Sequence, residues 1–344
     1  MHITILADAI DNQNAGVHYY LKNLIEHLLK IDRKNKYSFI HCQENQFFDN
    51  KESYIIPQIK GPGTETVRRF HKIPKLIKKL NPDAVWQPCH IGPFNIPKEI
   101  KRIVTIHDLT PILFPQFHTP RGKIIHRLLL GKTLKNADLI LTPSETTKRD
   151  IISHYQPFAP IAVTPLGVDK PSRTFETSGH PEVKPYFLYL GTIEPRKNLE
   201  LLIDAFLELD LQQKLILAGA KGWKNSRILK KAKHPKITLL TNVSEEEKAA
   251  LYTHADAFVY PSIYEGFGLP PLEAMSYGIP VICSTGGSLK ELYSKNALMF
   301  DPKDKEALKS HLQNFKSAPK SKDFAKNFTW ENTAEKTLKS FNQI

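Results

Sequence analysis

Short runs of apolar residues alternate along this chain with longer stretches in which apolar positions recur at helical spacing. In the first half the runs predict strands near 3–7, 37–42, 84–87, 103–106 and 139–143. The periodic stretches predict helices near 17–30, 66–80, 121–135 and 144–154. In the second half strands are expected near 186–190, 214–218, 237–240, 257–260 and 281–283. Helices are expected there near 199–209, 225–233, 244–254, 271–277, 289–293 and 305–314. Strand–helix alternation throughout predicts an α/β protein, with parallel sheets covered by helices on both faces.

The 344 residues suit two domains, each able to bury its own core. Between the halves lie Pro165-Leu166-Gly167-Val168-Asp169 and a polar stretch through His180, a linker composition. The expected division is 1–168, a linker over 169–182, a second domain over 183–323, and a closing segment over 324–344. Hydrophobic content of 41% is ordinary for a globular protein, and no apolar run reaches bilayer-spanning length. The first residues read as a strand rather than a signal peptide. Cys42, Cys89 and Cys283 lack metal spacing and read as reduced thiols, which suits a cytoplasmic protein. The formal charge of +13 favours an anionic partner: phosphates, nucleic acid or an acidic membrane surface. No nucleic-acid-binding motif is visible.

Two motifs carry the chemistry. Tyr264-Glu265-Gly266-Phe267-Gly268-Leu269-Pro270-Pro271-Leu272-Glu273 follows the strand at 257–260. It leads into a short helix with Pro271 in its first turn and Gly278 past its end. Gly266 and Gly268 allow close backbone approach, and the free amides of the helix start are expected to form an anion site, with Phe267 and Leu269 counted among the donor-binding residues. Glu265 in the turn and Glu273 in the helix can then face one pocket. A glycine turn for phosphates beside carboxylates for hydroxyls describes a sugar-nucleotide site; the bland alternative is a tight turn with two solvated glutamates. The second motif, 191–198, follows the strand at 186–190 and contains Arg196, Lys197 and Asn198. Loops at the carboxyl ends of parallel strands line the ligand crevice. Two cations there suit a diphosphate, while a basic pair on a helix's first turn is otherwise disfavoured by the dipole. Asn198 is expected to cap the helix that follows.

These residues resemble the retaining GT-B glycosyltransferases of family 4 (glycosyl transferases group 1), in particular the mannosyltransferase-like members that build O-antigen and other surface polysaccharides. The carboxylate pair Glu265 and Glu273, with seven residues between, is that family's signature. The resemblance implies two Rossmann-like doubly wound domains facing a central cleft, with the closing segment returning to the first. It implies Arg196 and Lys197 as pyrophosphate ligands, Glu265 on the donor sugar and Glu273 on the ribose hydroxyls. His107, in the His107-Asp108 pair after a strand, would hydrogen-bond the transferred sugar; the pair also reads as an interior histidine, or as Asp108 capping a turn. Gly16 would let the first helix approach the distal phosphate, although Ala15 and His18 stand where many members have a second glycine. Gly219, in the loop 218–223, would lie near the base. The loop 284–288 follows the strand after the signature helix and reads equally well as donor contact or as plain loop.

The segment 66–80 is basic and amphipathic, with Val67, Phe70, Ile73, Ile77 and Leu80 at helical spacing. It reads as a surface helix with a solvated basic face, or as a contact with anionic lipid at the inner face of the membrane. The reading is a retaining, metal-independent hexosyltransferase without a cofactor, its donor a nucleotide diphosphate sugar, GDP-mannose favoured. Its acceptor would be a saccharide or lipid-linked saccharide in surface polysaccharide synthesis, with no nucleic-acid partner. A nucleotide-sugar epimerase, a DNA glucosyltransferase of the same architecture and a catalytically silent sugar-binding module remain as alternatives.

Overall fold

A computed structural model of the chain describes residues 1–12, 15–59, 61, 63–169, 171, 185–319 and 321–344. Asn14 and most of the expected linker 169–182 lie outside them. The remaining chain divides into two compact units. One comprises Met1–Leu113, Pro120–Leu166 and Trp330–Ile344; the other Phe114–Thr119 and Gly167–Thr329.

The first unit is built on a seven-stranded sheet: β1 (His2–Leu6), β2 (Lys36–His41), β3 (Ser53–Ile55), β4 (Ala84–Gln87), β5 (Lys101–Thr105), β6 (Leu139–Thr142) and β7 (Ile161–Val163). Their order is β3-β2-β1-β4-β5-β6-β7, and every pairing is parallel. The second unit has six parallel strands: β8 (Tyr186–Leu190), β9 (Lys214–Ala218), β10 (Ile237–Leu240), β11 (Ala257–Tyr260), β12 (Val281–Ser284) and β13 (Leu298–Phe300). Their order is β10-β9-β8-β11-β12-β13. The interior strands β6, β11 and β12 are buried at every position, as strands covered on both faces must be. The short strands β3, β7 and β13 escape the sequence pattern because three residues are too few to show it.

The closing segment divides unexpectedly. Residues 324–329 group with the second unit, where Phe328 meets the Phe267 ring at 6.1 Å. Trp330–Ile344, with the helix Trp330–Phe341, belongs with the first. Its buried Trp330 lies 5.8 Å from the Tyr19 ring, Phe341 lies 6.0 Å from Trp86, and Thr333 Oγ1 donates to the Pro165 carbonyl at 2.7 Å.

The basic segment at 66–80 also differs from expectation. It is helical from Thr64, but a π-turn at Arg68–Lys72 separates Thr64–Val67 from Ile73–Leu80. A π-turn accommodates one extra residue, which rotates everything before it by about 100° relative to an α-helix. Ile73 and Ile77 are buried as expected, yet Val67 is exposed and Arg68 points inward. Arg68 forks onto Asp8 with two bonds of 2.6 Å and donates through Nε to the Ile56 carbonyl at 2.7 Å. It is therefore a structural ion pair and no part of a basic surface.

In the second unit the loops after β8 and β9 lie against each other. Ile193 N–H donates to the Ala220 carbonyl at 2.9 Å, and Gly222 N–H to the Ile193 carbonyl at 3.1 Å. Gly219 has φ +138, and a Cβ there would sit 2.8 Å from the Gly191 carbonyl carbon. Both the dihedral and the contact demand glycine. Gly219→Ala should cost about 2–4 kcal/mol, combining left-handed strain with a backbone clash. Urea unfolding measures this, and an unchanged midpoint would show that the two loops are free to separate.

Candidate active site

The strand order of the second sheet reverses between β8 and β11, which pair side by side while their crossovers run in opposite directions. The loops leaving such a switch point diverge and open a crevice at the strands' carboxyl ends. These are the loops 191–198 and 261–268. They are tied together by the Ile263 N–H, which donates to the Arg196 carbonyl at 2.9 Å.

Residues Pro195–Lys197 form a 3-10 turn that aims two cations at the second loop. Arg196 Nη1 donates to the Tyr264 carbonyl at 2.7 Å and lies 2.9 Å from Glu265 Oε1. Lys197 Nζ lies 2.6 Å from the same oxygen and donates to the Tyr260 hydroxyl at 2.7 Å. Tyr260 in turn donates to Glu265 Oε1 at 3.3 Å. Glu194, to which the sequence reading gave no role, accepts from Arg196 Nη2 at 2.8 Å. Its other oxygen is buried without a hydrogen-bond partner. The guanidinium is thus held between two carboxylates, and Lys197, Glu194 and Glu265 are all buried. Glu194 lies within the motif 191–198, one residue before Pro195, but a carboxylate two positions from an arginine has no sequence signature.

Burial pushes the Glu265 carboxyl up, but Arg196 and Lys197 outweigh it and leave it below the ordinary range. Burial pushes Glu194 up as well, and there Arg196 and Lys197 do not fully compensate. Burial, aided by the charge of Arg196, lowers Lys197 in spite of Glu265.

The backbone of Glu265 is fixed by the loop 284–288, which the sequence left undecided. Ser288 N–H and Oγ both donate to the Glu265 carbonyl, at 2.9 and 3.0 Å, and Gly287 bridges to Glu265. A Cβ on Gly287, whose φ is +63, would lie 2.9 Å from Glu265 N. Gly268 has φ +84, and its carbonyl accepts from the Tyr293 hydroxyl at 2.9 Å.

The structure corrects several expectations. The helix begins at Leu269, so Pro270 and Pro271 occupy its first turn and leave fewer N–H groups there for an anion than a helix start normally offers. The Phe267 ring is buried against Phe328, so any donor contact there falls to its backbone. Asn198 is left-handed and does not cap with its side chain, which donates instead to the Pro302 carbonyl at 2.7 Å. Glu273 draws on other partners than Glu265: Tyr252 Oη donates to Oε2 at 2.9 Å, and Lys248 Nζ lies 3.2 Å from Oε1. Its helix turns it towards the neighbouring helix Glu245–His254. Burial raises its carboxyl despite Lys248. Past Gly219, the indole N–H of Trp223 donates to the Phe117 carbonyl, and Phe114 lies 5.2 Å from the Tyr264 ring. The segment Phe114–Thr119 thus lines this unit beside the Glu265 turn.

In the first unit His107 follows β5, its Nε2 donating to the Pro88 carbonyl at 2.9 Å and its ring edge-on to Tyr20 at 4.9 Å. Burial lowers its pKa. Asp108 accepts from Thr110 N–H and Oγ1, at 2.8 and 2.6 Å, and starts the helix Thr110–Leu113. Gly16 lies inside the helix Ala15–Ile31, exposed, with open space where a Cβ would stand, so packing does not demand glycine there.

The opposite shifts of Glu265 and Glu194 predict opposite pH dependences. A lowered carboxyl stabilises the fold above its ordinary pKa of 4.5, and that stability is lost as pH falls through the lower folded value. A raised carboxyl contributes fully below 4.5 and loses its contribution as pH rises through the higher folded value. Relative to the parent, Glu265→Gln should therefore be more destabilised at neutral than at acid pH, and Glu194→Gln less. Urea titrations across the acid range measure both; parallel trends would overturn the assignment.

Comparisons with known proteins identify the family and the fold. A model of "Glycosyltransferase Family 4" matches residues 15–170, and one of "Glycosyl transferases group 1" matches 172–329. O-antigen chain mannosyltransferase B of Escherichia coli is 34% identical over 281 residues, covering 73% of each chain. O-antigen chain mannosyltransferase RfbU of Salmonella typhimurium is 31% identical, over 71% of this chain and 68% of its own. Among solved structures, sucrose-phosphate synthase from Thermosynechococcus elongatus superposes with TM-score 0.78 at 19% identity, covering 100% of this chain and 98% of its own. Anabaena HepE, solved with UDP-glucose, superposes with TM-score 0.73 at 14% identity over the whole of both chains. The likeness spans both sheets and is that of the GT-B fold. The chain belongs to the family 4, group 1 glycosyltransferases.

Proposed function

We propose that this glycosyltransferase moves a mannosyl unit from GDP-mannose to a saccharide or lipid-linked saccharide acceptor in surface polysaccharide synthesis, with retention of configuration and without a divalent metal. The observation that carries the reading is the pair Arg196 and Lys197, held by Glu265 at the switch point of the second sheet. A leaving nucleoside diphosphate gains negative charge as the glycosidic bond breaks. A guanidinium fork and an ammonium already fixed in a largely dry site stabilise that charge without reorganising. The mannose assignment rests on the two O-antigen mannosyltransferases among the relatives.

In the retaining reaction the acceptor attacks from the leaving-group face and a donor phosphate oxygen takes its proton. The side chains then position and stabilise charge rather than form bonds. Glu265 acts twice in this reading: it orients both cations and it contacts the donor sugar. Glu273, poised by Tyr252 and Lys248, takes the ribose hydroxyls.

Arg196→Ala or Lys197→Ala should raise the barrier by about 2–4 kcal/mol, as loss of one charge-assisted donor does. Glu273→Gln should chiefly weaken donor binding, and Glu265→Gln should chiefly lower turnover. A thermal-shift panel of GDP-, UDP-, ADP- and dTDP-linked sugars identifies the donor, because a ligand that binds only the folded state raises Tm. A shift with a UDP-sugar and none with GDP-mannose would replace mannose in the proposal. Normal kinetics in both cation variants would remove the phosphate role.

Turnover should also persist in EDTA, since Arg196 and Lys197 already supply the positive charge. Radiolabelled transfer with and without chelator measures it. Activity abolished by EDTA and restored by magnesium or manganese would overturn the metal-free mechanism.

A further inference from the structure

We propose that the outer face of the helix Pro120–Asn136 is an interfacial surface that seats this chain on an anionic bilayer. The helix carries Arg121, Lys123, Arg127, Lys132 and Lys135 and no Asp or Glu. Its inner side is settled: Leu130, Thr133 and Leu134 are buried, and Ile125 and Leu129 pack half-buried on the same core. Two large apolar side chains are left outside, Ile124 at 58% exposure and Leu128 at 68%. Four residues apart, they are neighbours on one face. At 3.6 residues per turn, Arg121, Ile124, Arg127, Leu128, Lys132 and Lys135 fall within an arc of about 140°.

Scattered exposed leucines need no explanation, but this stripe continues beyond its own helix. Gly131, one turn past Leu128, lies against the Tyr155 ring at the end of the helix Glu145–Tyr155. Ile152, one turn before Tyr155, is 46% exposed, and Phe158, three residues after it, is 96% exposed. On the other side Lys132 Nζ stands 5.7 Å over the Phe94 ring, which stacks on Phe70 at 5.1 Å. Phe70 belongs to the basic helical segment at 64–80, so the exposed cations there, Lys72 and Arg69 among them, border the same surface. The expectation that 66–80 itself meets lipid is thereby altered. Its apolar residues are committed to the core, apart from Val67, and it can add charge but little insertion.

Cations flanking exposed aliphatic and aromatic side chains match a bilayer interface, where the cations meet lipid phosphates and the apolar groups enter the acyl boundary. A nucleic-acid backbone would use the cations alone and leave Ile124, Leu128 and Phe158 in water. Among the described residues no helix is long and apolar enough to cross a membrane, so the contact is peripheral. The neighbouring helix contributes Glu145 and Asp150, with Lys148 3.9 Å from Glu145. This inference is independent of which sugar is transferred.

The test is co-sedimentation of the full chain with phosphatidylcholine vesicles, with and without phosphatidylglycerol. The parent should sediment with the anionic vesicles only and be released by raised salt. The double variant Ile124→Ser/Leu128→Ser alters only exposed side chains and should keep its Tm. It should lose roughly tenfold or more in vesicle affinity, from two apolar groups that no longer insert. Lys75→Gln/Lys78→Gln/Lys79→Gln, on the other basic helix, should lose less. Failure of the parent to bind anionic vesicles would overturn the proposal. So would a double variant that sediments like the parent, or duplex DNA binding that outcompetes vesicles and ignores the double substitution.

Discussion

Burying Lys197 and Glu265 together, with Arg196 half-buried against them, is the constraint on which the second unit's architecture turns. Each charge taken from water costs several kcal/mol unless its partners are in place, and removing one partner leaves the others stranded. The cluster is therefore tolerable only if two loops from adjacent strands are held within hydrogen-bond distance. The reversal of strand order at β8 and β11 supplies the two loops, and the Ile263–Arg196 backbone bond joins them. Gly287 and Ser288 bring a third loop onto the Glu265 backbone. The site's rigidity follows from the need to keep its own charges satisfied.

The groups beneath the cluster are chosen for the same reason. Tyr260 accepts from Lys197 and donates to Glu265, which only a neutral hydroxyl can do at once. Burial, reinforced by the charge of Glu265, holds its pKa well above the ordinary tyrosine value and keeps it in that form. Its ring stacks between Tyr189 at 6.1 Å and Phe258 at 5.9 Å, an aromatic floor from strands β8 and β11. Apolar packing and polar positioning are thus carried by the same residues.

Much of this was legible in the chain. The longer strands declare themselves because a buried parallel strand is apolar throughout, and Arg196, Lys197 and Glu265 because each follows such a strand within a turn rich in glycine or proline, with Glu273 in the helix that the second turn starts. What stayed hidden depends on helical phase or long-range contact. Arg68 looked like a surface cation because the π-turn that rotates it inward has no sequence mark. Asn198 looked like a helix cap, but its amide answers to Pro302, over a hundred residues away. Glu194 and the loop 284–288 gain meaning only when the sheet brings β8, β11 and β12 side by side. Glu265 and Glu273 share a motif, yet the helix that separates them gives each its own cation.

The docking of the helix Trp330–Phe341 onto the first unit bears on how the molecule comes into being. Trp330 and Phe341 cover Tyr19, Tyr20 and Trp86, residues far upstream in the sequence. The aromatic core of the first sheet is thus sealed by a helix that follows the whole second unit in sequence. The second unit, by contrast, is continuous in sequence but for Phe114–Thr119. Sealing the first unit's core is therefore a long-range closure, which costs more chain entropy than contacts between near neighbours in sequence.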